Sequence, residues 1–137
     1  MSVLFRHFTA LTILCIIVLI LDVLWIQYMA LPLYTSTFSH LLSFQILPAL
    51  LFYVLFVLAL WYFTLYKHDY HDSWVLLFDA ALFGFSVYAG YAFTMAAVFA
   101  FWPFYLSFIE CAWGSALASV SVFLTCRIHT YVFSRLS

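Results

Sequence analysis

Two acidic residues, Asp22 and Glu110, lie inside strongly apolar stretches, LILDVLWIQY and FYLSFIECAWGSALASV. Each is followed three residues later by a tryptophan, Trp25 and Trp113. A carboxylate at the centre of a bilayer costs ~2.5–3.5 kcal/mol on insertion scales, so such groups are rare and face a protein interior. Three kinds of chemistry suit them: a proton relay, a polar contact for a ligand, or a general acid. The structural alternative is a protonated acid that pins neighbouring helices through hydrogen bonds, which average ~0.6 kcal/mol in one membrane bundle.

The elements that must carry these acids follow from composition. The chain has 137 residues, of which 69% are hydrophobic and 7% charged. A soluble domain uses about 25% charged residues. The composition therefore predicts an all-α polytopic membrane protein, one domain over residues 1–137, built as a four-transmembrane-helix bundle. A net charge of −1, with no run of Lys or Arg, excludes nucleic acid as a partner and leaves the lipid bilayer as the main one. Aromatic residues make up 23% of the chain, as lipid-facing bulk and interfacial belts would require.

A crossing needs about 20 apolar residues. The spans are expected near residues 8–31, 46–66, 74–101 and 104–125, the first stopping before Pro32 and the second tolerating Pro48 in its first turn. Arg6 before an apolar stretch is superficially like a signal peptide. The stretch is too long for an h-region of about 7–15 residues and is read as a helix that stays attached. All four Lys and Arg residues, Arg6, Lys67, Arg127 and Arg135, fall on one side of this topology. The positive-inside rule then puts both termini in the cytoplasm.

At ~1.5 Å of rise per residue, Asp22 lies about 13 Å and Glu110 about 9 Å below the outer boundary. Tyr53, Tyr91 and Thr94 fall at comparable depth, and Gly84, Tyr88, Tyr91 and Met95 share a helical face. A cluster of Asp22, Glu110, Tyr53, Tyr88, Tyr91 and Thr94, walled by Trp25 and Trp113, is the candidate binding site. No Lys, Arg or His lies within these spans, so at least one of the two carboxylates is expected to carry a proton. No His or Cys set accompanies the acids at ligand spacing, so no metal and no cofactor are assigned. Cys15, Cys111 and Cys126 are scattered in apolar runs and read as small fillers.

Small residues recur at four-residue spacing in spans three and four: Ala80 and Gly84, Ser86 and Gly90, Gly114 and Ala118, Ser115 and Ser119. Such spacing brings helix backbones together, within the bundle or across a homo- or hetero-oligomer face. Asp79 is placed near the cytoplasmic interface, served by water or Lys67. The segment Lys67, His68, Asp69, Tyr70, His71, Asp72, Ser73 reads as a solvated polar turn.

The chain resembles a family of small bacterial membrane proteins known only as domain of unknown function twenty-one seventy-seven. The residues that carry the likeness are Leu21-Asp22-x-x-Trp25, Ala49-Leu50-Leu51-Phe52-Tyr53, Gly84-Phe85-x-x-Tyr88-x-x-Tyr91 and Glu110-Cys111-Ala112-Trp113-Gly114. The family motif in span three is Tyr-Asp-Leu-Thr-Asn, where this chain has Tyr91, Ala92, Phe93, Thr94 and Met95. The family acid in span four is Asp, and Glu110 keeps the acid. The resemblance implies four spans in a bacterial inner membrane around a polar centre, and no reaction.

Three functions remain open. A non-catalytic module would bind a lipid or hydrophobic small molecule, or serve as a small subunit of an assembly. An oligomeric proton-coupled carrier would use the paired acids as a relay. A lipid-modifying enzyme ranks third, because no HExxH, nucleophile–base pair or nucleotide fingerprint is present.

Overall fold

A computed structural model of the chain describes residues 3–71 and 73–136. Four helical rods are long and apolar enough to cross a membrane: Val3–Phe38, Ile46–Tyr66, Trp74–Val98 and Phe104–Arg135. The first comprises α1 (Val3–Trp25), a π-helical turn (Ile26–Ala30) and α2 (Leu31–Phe38). The second is α3 (Ile46–Trp61) with a π-helical turn (Tyr62–Tyr66). The third is α4 (Trp74–Val98) and the fourth α5 (Phe104–Leu136).

Each boundary has a local cause. Pro48 is the third residue of α3, where its missing N–H removes no helical hydrogen bond. The Ser73 side chain caps α4 by accepting from the Leu76 N–H at 3.1 Å. The α4–α5 connection runs over residues 99–103, its turn closed by the Trp102 N–H donating to the Phe99 carbonyl at 3.1 Å, and α4 ends at Val98, three residues before the expected end of the span.

The first helix departs from expectation, because it does not stop before Pro32. In an uninterrupted α-helix Pro32 would leave the Tyr28 carbonyl without a donor and press its ring against it. Here the turn before it widens, the Leu31 N–H reaching the Ile26 carbonyl five residues back. The wider turn accommodates the proline, and the helix resumes as α2. At ~1.5 Å per residue the rod exceeds the ~30 Å of hydrocarbon. α2 uses its excess length to pack Phe38 against Trp102 and Leu106.

Interior positions form narrow stripes. On α1 the buried residues are Ala10, Leu14, Val18 and Asp22; on α4 they are Leu76, Ala80, Gly84, Tyr88 and Ala92. Much of the remaining helix surface is apolar and uncovered, with Trp74 88% and Leu4 77% exposed, as lipid-facing side chains would be.

The closest helix crossing joins α4 to α5. A Cβ on Gly84 would lie 2.0 Å from the Gly114 carbonyl oxygen, and one on Gly114 would lie 2.5 Å from the Tyr88 ring. Ala80 and Ala118 are buried beside this crossing. Serine hydroxyls tie the same pair: Ser115 donates to the Ala81 carbonyl at 3.1 Å, and Ser107 to the Ala92 carbonyl at 3.0 Å. The small faces of Gly84 and Gly114 are therefore consumed within the chain and are not available to an oligomer. Ser86 and Gly90 face outward, and a Cβ on Gly90 would meet nothing within 4 Å.

Candidate functional site

Four helices converge on one carboxylate. Asp22, on α1, is 5% exposed. Its Oδ2 accepts from the Tyr53 hydroxyl of α3 at 2.5 Å. Its Oδ1 accepts from the Trp113 indole N–H of α5 at 2.9 Å and from the Tyr88 hydroxyl of α4 at 3.4 Å. Indole N–H is a donor only, so Oδ1 is fixed as an acceptor. The four-residue stripe of α1 aims Asp22 inward, and the Gly114 crossing brings Trp113 and Tyr88 to the same level.

The second acid, Glu110, is 4% exposed on α5. Its Oε1 accepts from the Tyr34 hydroxyl of α2. Sequence reasoning missed Tyr34, because a helix ending before Pro32 would have left it in an outer loop. The signal was present: Asp22, Ile26, Ala30, Tyr34 and Phe38 continue the spacing of four straight through the proline.

Both acids line one cleft of about 370 Å³. Its walls include Trp25, Tyr34, Phe52, Tyr88 and Tyr91, with Ile26, Ala30 and Val87 between them. That volume falls within the range of small-molecule sites. Trp25 stacks on Trp113, with ring centroids 4.5 Å apart and planes 4° from parallel. The Trp25 indole nitrogen is buried without a hydrogen-bond partner. Tyr91 stands edge-on to Tyr88 at 5.8 Å and to Trp102 at 6.3 Å.

Of the residues singled out from the sequence, Asp22, Trp25, Tyr53, Tyr88, Tyr91, Glu110 and Trp113 lie in or directly against this cluster. Thr94 does not. It is exposed, and its hydroxyl donates to the Gly90 carbonyl of its own helix at 2.5 Å. It sits six residues beyond Tyr88, about 600° around the helix and so far off that residue's face.

The opposite end of the bundle carries a second polar assembly. The expected solvated turn is only partly so, because Tyr70 folds inward and is 5% exposed. Its hydroxyl is hydrogen-bonded to His7 Nδ1 and accepts from the Trp61 indole at 3.2 Å. Its ring stacks on His129 at 4.6 Å. Asp69 and Tyr70 both take left-handed backbone conformations, with φ of 49° and 63°, and this reversal turns the ring inward. Burial pushes the Tyr70 phenol above its ordinary value.

Asp79 is met by His68 Nε2 at 3.0 Å, not by Lys67, whose ammonium lies over the Phe63 and Tyr62 rings at 5.1 and 5.6 Å. Arg6 faces Asp69 at 3.7 Å. Asp72 lies outside the described residues. Among the described residues no three His, Cys, Asp or Glu side chains are grouped as a metal ion would need, and Cys15 and Cys111 are free thiols.

No curated protein and no solved structure matches the chain. A family model described as a predicted membrane protein, DUF2177, matches residues 7–127, nearly the whole chain and all of the cluster above. The chain belongs to this family of predicted membrane proteins.

Proposed function

We propose that the protein is a non-catalytic membrane module that binds a small hydrophobic molecule in the cleft lined by α1, α2, α3, α4 and α5. The observation that carries this reading is the cleft itself, about 370 Å³ of space walled by aromatic rings and bordered by both intramembrane acids. A polar pin needs the hydrogen bonds around Asp22 but no adjoining space. An apolar body would fill the cleft and replace the dispersion contacts its walls lack. The test is purification from the native membrane into nanodiscs, followed by native mass spectrometry. A bound small molecule, lost when Val87→Trp fills the cleft, is the expected result. A clean, ligand-free chain from its native membrane would count against the reading.

A proton-coupled carrier is the second reading, favoured by the presence of both acids on one cleft and by the His68–Asp79 pair further along α4. Glu110→Gln should then abolish pH-dependent flux in liposomes, and unchanged flux would remove the idea. We also propose a bacterial inner-membrane location with both termini in the cytoplasm, because the Lys and Arg residues gather beside the termini and the loop between α3 and α4. Terminal reporter fusions active only on the periplasmic side would reverse that orientation.

A further inference from the structure

We propose that the cleft selects a cationic ligand head, an amine or quaternary ammonium carried on an apolar body. The inference rests on the cleft being a binding site and adds the charge of what it takes.

The first argument is charge balance. Two carboxylates border the cleft, and none of its lining residues is Lys, Arg or His. The cations of the chain are engaged elsewhere: Arg6 faces Asp69, Lys67 covers Phe63, and Arg127 and Arg135 lie over Phe123 and Tyr131. The hydrogen bonds to Asp22 and Glu110 come from phenols and an indole. Neutral donors orient carboxylate oxygens but supply no countercharge. With one acid of the pair protonated, the charge of the other is still unanswered in a low-dielectric setting, and a ligand cation answers it. An anionic head would be repelled by the same groups.

The second argument is the wall chemistry. The rings of Trp25, Tyr34, Phe52, Tyr88 and Tyr91 surround the space. Aromatic faces attract organic cations, and sets of such faces are the usual means of holding quaternary ammonium groups. The walls also discriminate against metal ions. A hard cation needs six or more oxygen ligands, whereas most of this lining is ring and aliphatic carbon. Carboxylates and aromatic faces together favour a soft, bulky cation with an apolar body.

The test uses the full chain in zwitterionic nanodiscs and two probes of nearly equal shape. Benzyltrimethylammonium carries the charge, and neopentylbenzene is its uncharged carbon isostere. Calorimetric titration against empty nanodiscs gives both affinities. The expected result is tighter binding of the cation, by about tenfold or more, given the strength of desolvated cation–ring contacts. In Glu110→Gln and in Asp22→Asn that ratio should fall towards one while neopentylbenzene binding is retained. Equal affinities in the native chain would overturn the cationic head and leave the cleft as a binding site. Binding of neither probe would overturn both. A preference unchanged in both variants would also overturn the proposal, since the carboxylates would then not hold the head. If a variant loses both probes through misfolding, the native-chain ratio decides alone.

Discussion

The Trp113 indole donates to Asp22 Oδ1 across 2.9 Å, joining residues 91 positions apart in the chain. The same carboxylate collects the Tyr53 and Tyr88 hydroxyls, so a single side chain of α1 is bonded to α3, α4 and α5. Removing it strands three donors at once.

Asp22→Ala should therefore destabilise the bundle by at least ~2 kcal/mol, since each buried donor left unpaired costs about 1–3 kcal/mol. Asp22→Asn keeps one carbonyl oxygen in place and should lose less. Thermal unfolding in mild detergent checks the order. An alanine variant as stable as the native chain would show that the hydrogen bonds do not hold the helices.

Two glycines of α4 should behave oppositely. Gly84→Ala forces a methyl to within 2.0 Å of the Gly114 carbonyl oxygen, so α4 and α5 must separate. A loss of about 2 kcal/mol or more is expected, in line with overpacking in other interiors. Gly90→Ala meets nothing within 4 Å and should be neutral or stabilise by up to ~1 kcal/mol through helix propensity. Parallel melting curves of the two variants compare them directly.

Much of this architecture was legible in the sequence, for a physical reason. Four rods and their small-residue crossing follow from apolar run length and from Gly84, Gly114 and Ala118, because lipid imposes both constraints locally. The path of the first helix was not legible. Pro32 ordinarily ends a helix, and whether the preceding turn widens depends on a tertiary reward, the packing of Phe38 on Trp102 and of Tyr34 on Glu110. Thr94 was misassigned because depth was read without the angular position around α4. Tyr70 was overlooked because its inward turn depends on backbone angles of Asp69 and Tyr70 that residue type does not announce.

Tyr34→Phe isolates the contribution of α2. It removes the hydroxyl that Glu110 accepts from and leaves the ring beside Phe38 and Trp102. The expected cost is about 1–3 kcal/mol in unfolding, the range for bonds to a carboxyl group left buried. Probe binding in the cleft should weaken in parallel. A variant with native stability and native binding would make the extension past Pro32 incidental to the site.

Tyr70 predicts an alkaline sensitivity. Burial holds its phenol protonated in the folded chain, whereas in an unfolded chain it ionises near pH 10. Its contribution is complete below about pH 10 and is lost as pH rises through the folded value, because the unfolded state releases its proton first. Tyr70→Phe should flatten that part of the alkaline stability curve. It should also lose stability at neutral pH, through the bonds to His7 and Trp61. Unfolding midpoints measured from about pH 8 to 11 for both chains test the difference.

The buried stripes of α1 and α4 have a consequence for how this sequence can drift. With a fully buried position only about every fourth residue, flanked by partly buried ones such as Leu11, Cys15, Phe83 and Val87, the exposed positions answer mainly to the bilayer, which accepts Leu, Ile, Val and Phe almost interchangeably. The specification of the fold is concentrated in a sparse lattice: Ala10, Leu14, Val18 and Asp22 on one rod, and Leu76, Ala80, Gly84 and Tyr88 on another. Kinship among such chains should therefore be measured on the lattice alone. Two of them sharing few residues overall can hold the same bundle if those points agree, while many shared leucines outside it signify little.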